Sequence, residues 1–213
     1  FRRAVIHEYT HLAVQYSGGR YPRWLNEGIA EYYSTLRPDG ASAEYGHALP
    51  ERLARLRSSP WFEIGDLVTR GQQRRGATAL SEDVFYSESW LLVHMLISSE
   101  RYREGWSAFR DEISLKGESA AEAFKSVYHR DLEQVRDDLR AYFAAGNLEA
   151  QSAPMIRPEV KLAAFDADGF DIEATTAGVE GWSGRKAEAR RAYQKLVSAG
   201  DEGCKWQREL GDV

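Results

Sequence analysis

The first turns of the chain carry two histidines in a pattern that binds metal ions. His7 and His11 stand four residues apart in the segment HEYTH. On an α-helix, side chains with this spacing share one face at about 5–6 Å, so two imidazole nitrogens can reach the same ion. Glu8 lies at the edge of that face, where a carboxylate can take a proton from a zinc-bound water without ligating the metal. The pattern predicts a hydrolytic zinc site.

A third ligand is expected from Glu27 in the segment WLNEGIAEY. Catalytic zinc takes three protein ligands and keeps one position open, and a carboxylate offsets part of its charge. The Ser-Gly-Gly sequence at 17–19 favours the end of one helix, and Pro22 favours the start of the next. The resulting helical hairpin would bring Glu27 to the two histidines. Glu31 could accept the second ring N–H of a ligating histidine, or it could be a solvated helix residue.

The segments HEYTH and WLNEGIAEY together resemble the glutamate-zincin, or gluzincin, zinc metallopeptidases. The spacer between them is shorter than in the larger gluzincins and is similar to that of the compact bacterial peptidase MA-like set. The resemblance implies Zn²⁺ as the cofactor and a peptide or protein as the substrate. It also implies that Glu27 is the third ligand, that Glu31 supports a ligand histidine, and that the protein is periplasmic or secreted.

A helix predicted over about 82–98 supplies a further candidate. Ser81, followed by two acidic residues, favours a helix start, and the apolar sequence after them predicts that the helix is buried. The segment 86–89 resembles the gluzincin Tyr-x-x-small pattern, which implies that Tyr86 donates a hydrogen bond to the oxyanion of the reaction. A phenol suits this role because it stays neutral near pH 7. The alternative is a core tyrosine, and His94 on the same helix is predicted to be a packed residue.

The remaining pattern predicts a mainly α fold with a gluzincin-type, zincin-like helical catalytic subdomain. Helices are predicted over 1–16, 22–36 and 49–57, around 106–113, after a capping box at 119–122, and over 131–145. The segments 37–40 and 41–47 are predicted as a turn and a loop, and 71–76 as a loop. The resemblance also implies a small β-sheet upstream of the zinc helix, which we expect to be missing from this chain.

Composition changes after Gly146, so we predict a catalytic domain over 1–146 and a linker with a helical tail over 147–213. The linker is expected near 151–158. Residues 166–171 are rich in Asp but lack the EF-hand spacing, which favours a turn over a calcium site. The segment GRKAEARRAYQKLV at 184–197 resembles the second helix of a tetratricopeptide repeat. Because one repeat cannot bury its own face, the tail must pack on the catalytic domain or on further repeats, and it could bind a protein partner.

Composition excludes several other classes of protein. The 213 residues are 43% hydrophobic, which is enough for one domain and a small appendage. The net charge of −5 is spread over mixed acidic and basic residues, so no nucleic-acid partner is indicated. No stretch has the apolar length of a membrane span, and the single Cys204 cannot form an internal disulfide.

Two functions of different classes fit this sequence. The first is a zinc-dependent peptidase in which Glu8 serves as general base and acid. The alternative is a catalytically inactive zincin-like scaffold or protein-binding module that acts through its helical tail.

Overall fold

The computed structural model describes residues 2–69, 79–155, 173, 176–177 and 186–200, and this part of the chain is mainly α-helical. The mainly α class predicted from the sequence is confirmed. The loop predicted at 71–76 and the turn predicted at 166–171 lie outside the described residues. The helices are α1 (Arg2–Tyr16), α2 (Arg23–Tyr33), α3 (Pro50–Ser58), α4 (Ile64–Thr69), α5 (Ala79–Ser98), α6 (Trp106–Ser114), α7 (Ala120–Tyr128), α8 (Leu132–Ala145) and α9 (Lys186–Gly200), with a 3₁₀ turn at Arg103–Gly105. None of these described helices combines the length and the apolar character that crossing a membrane requires.

A three-stranded antiparallel sheet forms where the sequence predicts a turn, a loop and a linker. Its strands are β1 (Arg37–Asp39), β2 (Ser42–Tyr45) and β3 (Gln151–Pro154), in the order β1-β2-β3. The predictions for 41–47 and 151–154 are therefore wrong. Gly40, with φ of +59°, turns the chain between β1 and β2, and the three short strands carry no alternating apolar pattern that sequence analysis could detect.

The chain divides into two compact units, Phe1–Arg157 and Pro158–Val213. Strand β3 pairs with β2, so the first unit continues beyond the boundary predicted after residue 146. In the second unit, α9 buries Ala189, Tyr193 and Leu196, which lie on one helical face. This face agrees with an amphipathic helix, and the likeness to a tetratricopeptide repeat stays a prediction.

Helix α5 forms the centre of the first unit. Its side chains from Trp90 to Val93, and again at Met95 and Leu96, are buried. A helix that is apolar on all sides must be surrounded by other elements, and α2, α3, α4 and α8 pack around this one. The burial predicted for this helix is confirmed, and α2 makes its most extensive contact with it.

Gly28 allows α2 to lie directly against the backbone of α5. A Cβ atom at this position would stand 2.4 Å from the carbonyl oxygen of Ser89 and 2.5 Å from Cγ2 of Val93. Both distances are far below van der Waals contact, so no residue with a side chain fits without moving one helix. The close contact fixes the distance between α2 and α5 and the rotation of α2 about its own axis. Helix α2 carries Glu27 and Glu31.

His94 joins α5 to two other parts of the unit through hydrogen bonds inside the core. Its Nε2 lies 2.8 Å from the carbonyl oxygen of Gly46, and its Nδ1 lies 2.7 Å from the hydroxyl oxygen of Tyr142. A carbonyl can only accept, so Nε2 donates to Gly46 and Nδ1 accepts from Tyr142. Burial lowers the pKa of His94 to about 4, against the opposing effect of its backbone hydrogen bonds. His94 is a packed, neutral histidine, as the sequence predicts.

Replacing Gly28 with alanine should destabilise the first unit. The Gly28→Ala change forces α2 away from α5, and such overpacking typically costs about 1–3 kcal/mol. Gly65→Ala is a matched control, because its new Cβ would meet only Leu132 Cδ1, at 4.0 Å. Alanine in that helix should be neutral or stabilising by up to about 1 kcal/mol. Urea unfolding of the three proteins measures the difference, and equal stabilities of the two variants would contradict the packing argument.

Acid should destabilise the protein in part through His94. Its pKa is about 4 in the folded chain and 6.5 ordinarily, so between these pH values the unfolded chain binds more protons and stability rises with pH. The contribution of neutral His94 to the free energy of unfolding amounts to roughly 3 kcal/mol. It is fully present above about pH 6.5 and is lost as the pH falls towards 4. The free energy of unfolding of wild type should therefore fall more steeply than that of His94→Gln between pH 7 and pH 4. Parallel pH profiles of the two proteins would show that His94 is not the titrating group.

Candidate metal centre

A helical hairpin brings the two histidines to Glu27. After α1, Gly18 adopts a left-handed conformation with φ of +78°, which most other residues avoid. Pro22 then precedes α2 in an extended conformation with φ of −61°. The chain reverses between these residues, and α1 packs along α2.

The three expected ligand atoms converge on one point. His7 Nε2 lies 3.1 Å from His11 Nε2. Glu27 Oε2 lies 3.3 Å from His7 Nε2 and 3.4 Å from His11 Nε2. Zinc bonds of about 2.0–2.1 Å in tetrahedral geometry place ligand atoms about 3.3 Å apart. The spacing of this triangle therefore fits a zinc ion.

Buried polar atoms around the triangle support the same conclusion. Glu27 Oε2 and His11 Nδ1 are buried and have no hydrogen-bond partner of good geometry, and an unpartnered buried polar atom is costly. A cation between the ligands would satisfy the carboxylate oxygen. Two imidazoles and a carboxylate are also a donor set that zinc accepts, so the residues present fit the ion.

Electrostatics keep Glu27 ionised. Burial raises the pKa of Glu27, but interactions with His11 and His7 outweigh it and bring the pKa to about 2. Conversely, interaction with Glu27 raises the pKa of His11 against the effect of burial, and Asn26 and Glu8 raise it further. A carboxylate that is charged at neutral pH is the form that a metal ion binds.

Glu31 lies behind His7 and is almost completely buried, with 4% of its surface exposed. Its Oε1 is 2.6 Å from Arg52 Nη2 and 3.7 Å from His7 Nδ1, and its Oε2 is 3.2 Å from Arg3 Nη2. The contact with His7 is too long for a hydrogen bond and is electrostatic. The burial excludes a solvated helix residue, which is the alternative that the sequence leaves open.

Glu8 and Tyr86 line an open pocket beside the predicted metal ligand His7. The pocket has a volume of about 460 Å³ and is bordered by Arg3, Ala4, His7, Glu8, Glu31, Ser34 and Tyr86. Glu8 is exposed and Tyr86 is half-buried. Tyr86 packs against the hydrophobic core and also lines the pocket, so the pocket brings together a predicted ligand, the predicted base and the predicted oxyanion donor.

The Tyr86 ring is contacted by two arginines. The guanidinium carbons of Arg23 and Arg52 are 5.7 and 5.4 Å from the ring centroid. Burial raises the pKa of the Tyr86 phenol, the negative charge of Glu27 raises it further, and Arg23 opposes both. Tyr86 is therefore protonated at neutral pH and can donate a hydrogen bond.

Sequence analysis missed the arginines and Asn26. Arg52 contacts both Glu31 and Tyr86, yet it belongs to α3 and has no spacing relation to either motif. Arg23 also pairs with Glu82 at 2.5 Å. Only folding brings Arg52 to the site, whereas Arg23 lies one turn before Glu27 on α2. Asn26, which directly precedes Glu27, could have been suspected from its position in the motif.

Comparison of the chain with protein-family models, with curated proteins and with solved structures found no match. The likeness to gluzincins therefore rests on the sequence segments HEYTH and WLNEGIAEY and stays a prediction.

The Glu31→Gln change should weaken zinc binding. It removes the negative charge behind His7 and leaves Arg52 without its carboxylate, and losses of about 10–100-fold in metal affinity are typical for such partners. Competition with a chelator of known zinc affinity measures the effect. Glu44→Gln, which removes a half-buried carboxylate on the sheet that lies 3.3 Å from His47 Nε2, is the control and should bind zinc as wild type does. If Glu31→Gln and Glu44→Gln bound zinc with equal affinity, Glu31 would have no role in metal binding.

Proposed function

We propose that the chain is a zinc-dependent peptidase with His7, His11 and Glu27 as metal ligands. The observation that carries this proposal is the convergence of the three ligand atoms, at separations of 3.1–3.4 Å, next to a pocket that also contains Glu8 and Tyr86. A structural zinc site is normally closed by four protein ligands. Three ligands and an open pocket are typical of a catalytic site.

Zinc bound to these residues would supply a Lewis acid that polarises a substrate carbonyl and acidifies water. Glu8 is one residue after His7 on α1 and is exposed to the pocket. Within the described residues, no ion pair ties Glu8 to another side chain. Its carboxylate accepts a proton from the attacking water and returns it to the leaving amine, so that one group performs both transfers.

Tyr86 supports the charge that develops on the substrate oxygen. Its protonated phenol, on the wall of the pocket, donates a hydrogen bond to the oxyanion as the tetrahedral state forms. The nearby guanidinium groups of Arg23 and Arg52 restrict the ring, so less reorganisation is needed during the reaction. Glu31 holds His7 in orientation from the other side of the imidazole.

Peptides or proteins are proposed as substrates because the two motifs resemble those of gluzincins. The ligand set alone supports metal-dependent hydrolysis of a carbonyl or phosphoryl substrate. The competing function is an inactive zincin-like scaffold that acts through the helical tail. It predicts that the zinc-loaded chain binds a partner and hydrolyses nothing.

The Glu8→Gln change separates the two functions. The neutral amide cannot accept a proton, so hydrolysis of a mixed peptide library by the zinc-loaded chain should fall by about 10²–10⁴-fold or more. Zinc content and thermal stability should stay as in wild type, because Glu8 is exposed and does not ligate the metal. Glu44→Gln serves as the control for loss of a surface charge and should retain activity.

Mass spectrometry of the library products measures the rates, and elemental analysis checks for one zinc per chain in each protein. Equal rates of wild type and Glu8→Gln would contradict the peptidase proposal. Two equal zero rates across a broad library would favour the scaffold.

A further inference from the structure

A second pocket lies on the other flank of α1. It has a volume of about 350 Å³ and is formed between α1, α2 and α6. It shares no lining residue with the pocket that contains Glu8. Successive helical residues are rotated by about 100°, so Ile6, Thr10 and Ala13 point away from the side of α1 that carries Glu8. This pocket is therefore separate from the candidate metal centre.

Most of the wall of this second pocket is apolar, with Ile6, Val14, Ile29, Leu36 and Trp106 among its lining residues. Its two aliphatic hydroxyl groups are already bonded to the backbone: Thr10 Oγ1 donates to the Ile6 carbonyl and Ser17 Oγ donates to the Val14 carbonyl. Small-molecule and peptide side-chain sites are typically apolar cavities of this size with one or two polar groups that fix orientation.

Arg110 is the charged group of the pocket, and the part of the chain that the structure describes gives it no acidic partner. Its guanidinium carbon lies 5.4 Å from the centroid of the Trp106 ring. Within the described residues, its side-chain hydrogen bonding is limited to a long contact of 3.5 Å with Ser107 Oγ, and its Nε is buried without a partner. Arg3, Arg23 and Arg52 each pair with a glutamate at 3.2 Å or less. Arg110 is therefore available to an anionic group that enters the pocket.

The surface outside the pocket is apolar as well. Tyr9 lines the pocket and belongs to a stripe on α1 with Val5, Leu12 and Tyr16. These four side chains are between 38% and 88% exposed, and they follow one another at three- and four-residue steps on one face of the helix. A ligand seated in the pocket and continuing outward would lie over this stripe.

We propose that the pocket binds the C-terminus of a polypeptide whose last residue is apolar. The last side chain enters the cavity between Ile6, Ile29 and Trp106, the terminal carboxylate pairs with Arg110, and the preceding residues cross the exposed stripe at Tyr9. A guanidinium and a carboxylate pair through two parallel hydrogen bonds, which gives the site its selectivity for a free C-terminus.

The probe is acetyl-Gly-Gly-Phe with a free carboxylate, titrated by calorimetry against the zinc-loaded chain and compared with its C-terminal amide. Wild type should bind the acid about tenfold or more tightly than the amide, as expected for a hydrogen bond between charged groups. Mass spectrometry of the recovered peptide checks that it stays intact.

Three variants test whether the peptide binds in the pocket that contains Arg110. Arg110→Gln should abolish the preference for the acid. Arg103→Gln, which removes an exposed arginine from the neighbouring 3₁₀ turn, should keep it. Ala13→Leu places an apolar side chain at the exposed mouth of the pocket and should weaken binding of both peptides without loss of thermal stability, because Ala13 is exposed and its side chain fills no core space.

Several results would overturn the proposal. Equal binding of acid and amide, retained preference in Arg110→Gln, or no saturable binding at millimolar peptide would each do so. If 3-phenylpropanoate bound as tightly as the peptide, the pocket would be a site for small free acids instead of a polypeptide C-terminus. The peptidase proposal is unaffected by these outcomes, since none of the variants alters the residues around the metal.

Discussion

The contact between α2 and α5 at Gly28 is the constraint on which the candidate site depends. Gly28 directly follows Glu27, and its missing side chain lets α2 rest on the Ser89 carbonyl of α5. Tyr86 lies one turn before Ser89 on α5. One helix crossing therefore sets the position of a proposed metal ligand and of the proposed oxyanion donor. Because α1 packs on α2, separating α2 from α5 by the width of a methyl group would move Tyr86 relative to Glu27 and the two histidines.

The second constraint is electrostatic. Glu27 and Glu31 lie one turn apart on the same face of α2, and two carboxylates at this spacing repel each other. Glu31 is buried, so its charge must be paired, and Arg52 and Arg3 supply the partners. Glu27 faces the two histidines instead. The arginines thus pair with Glu31, and Glu27 is the carboxylate that contacts both histidines.

The sequence predicts local features well and distant ones poorly. The Ser119–Glu122 capping box and the left-handed Gly146 at the end of α8 are both present, because caps and turns depend on neighbouring residues. The His7–His11 pair is equally local. The partners of Glu31 and the pairing of β2 with β3 join segments far apart in the chain. Their short strands and lone arginines carry no periodic pattern, so only the folded chain reveals them.

The proposed metal ligands also come from helices that differ greatly in burial. No residue of α1 is fully buried, although α1 carries both histidines. Most of α2 is buried, including Trp24, Leu25 and Tyr32. An ion held by His7, His11 and Glu27 would join the weakly packed helix to the strongly packed one, and metal-binding free energy of this kind acts as folding free energy for the elements it connects. Since Glu8 is on α1 and Tyr86 is on α5, the same link would set the width of the pocket between the base and the oxyanion donor.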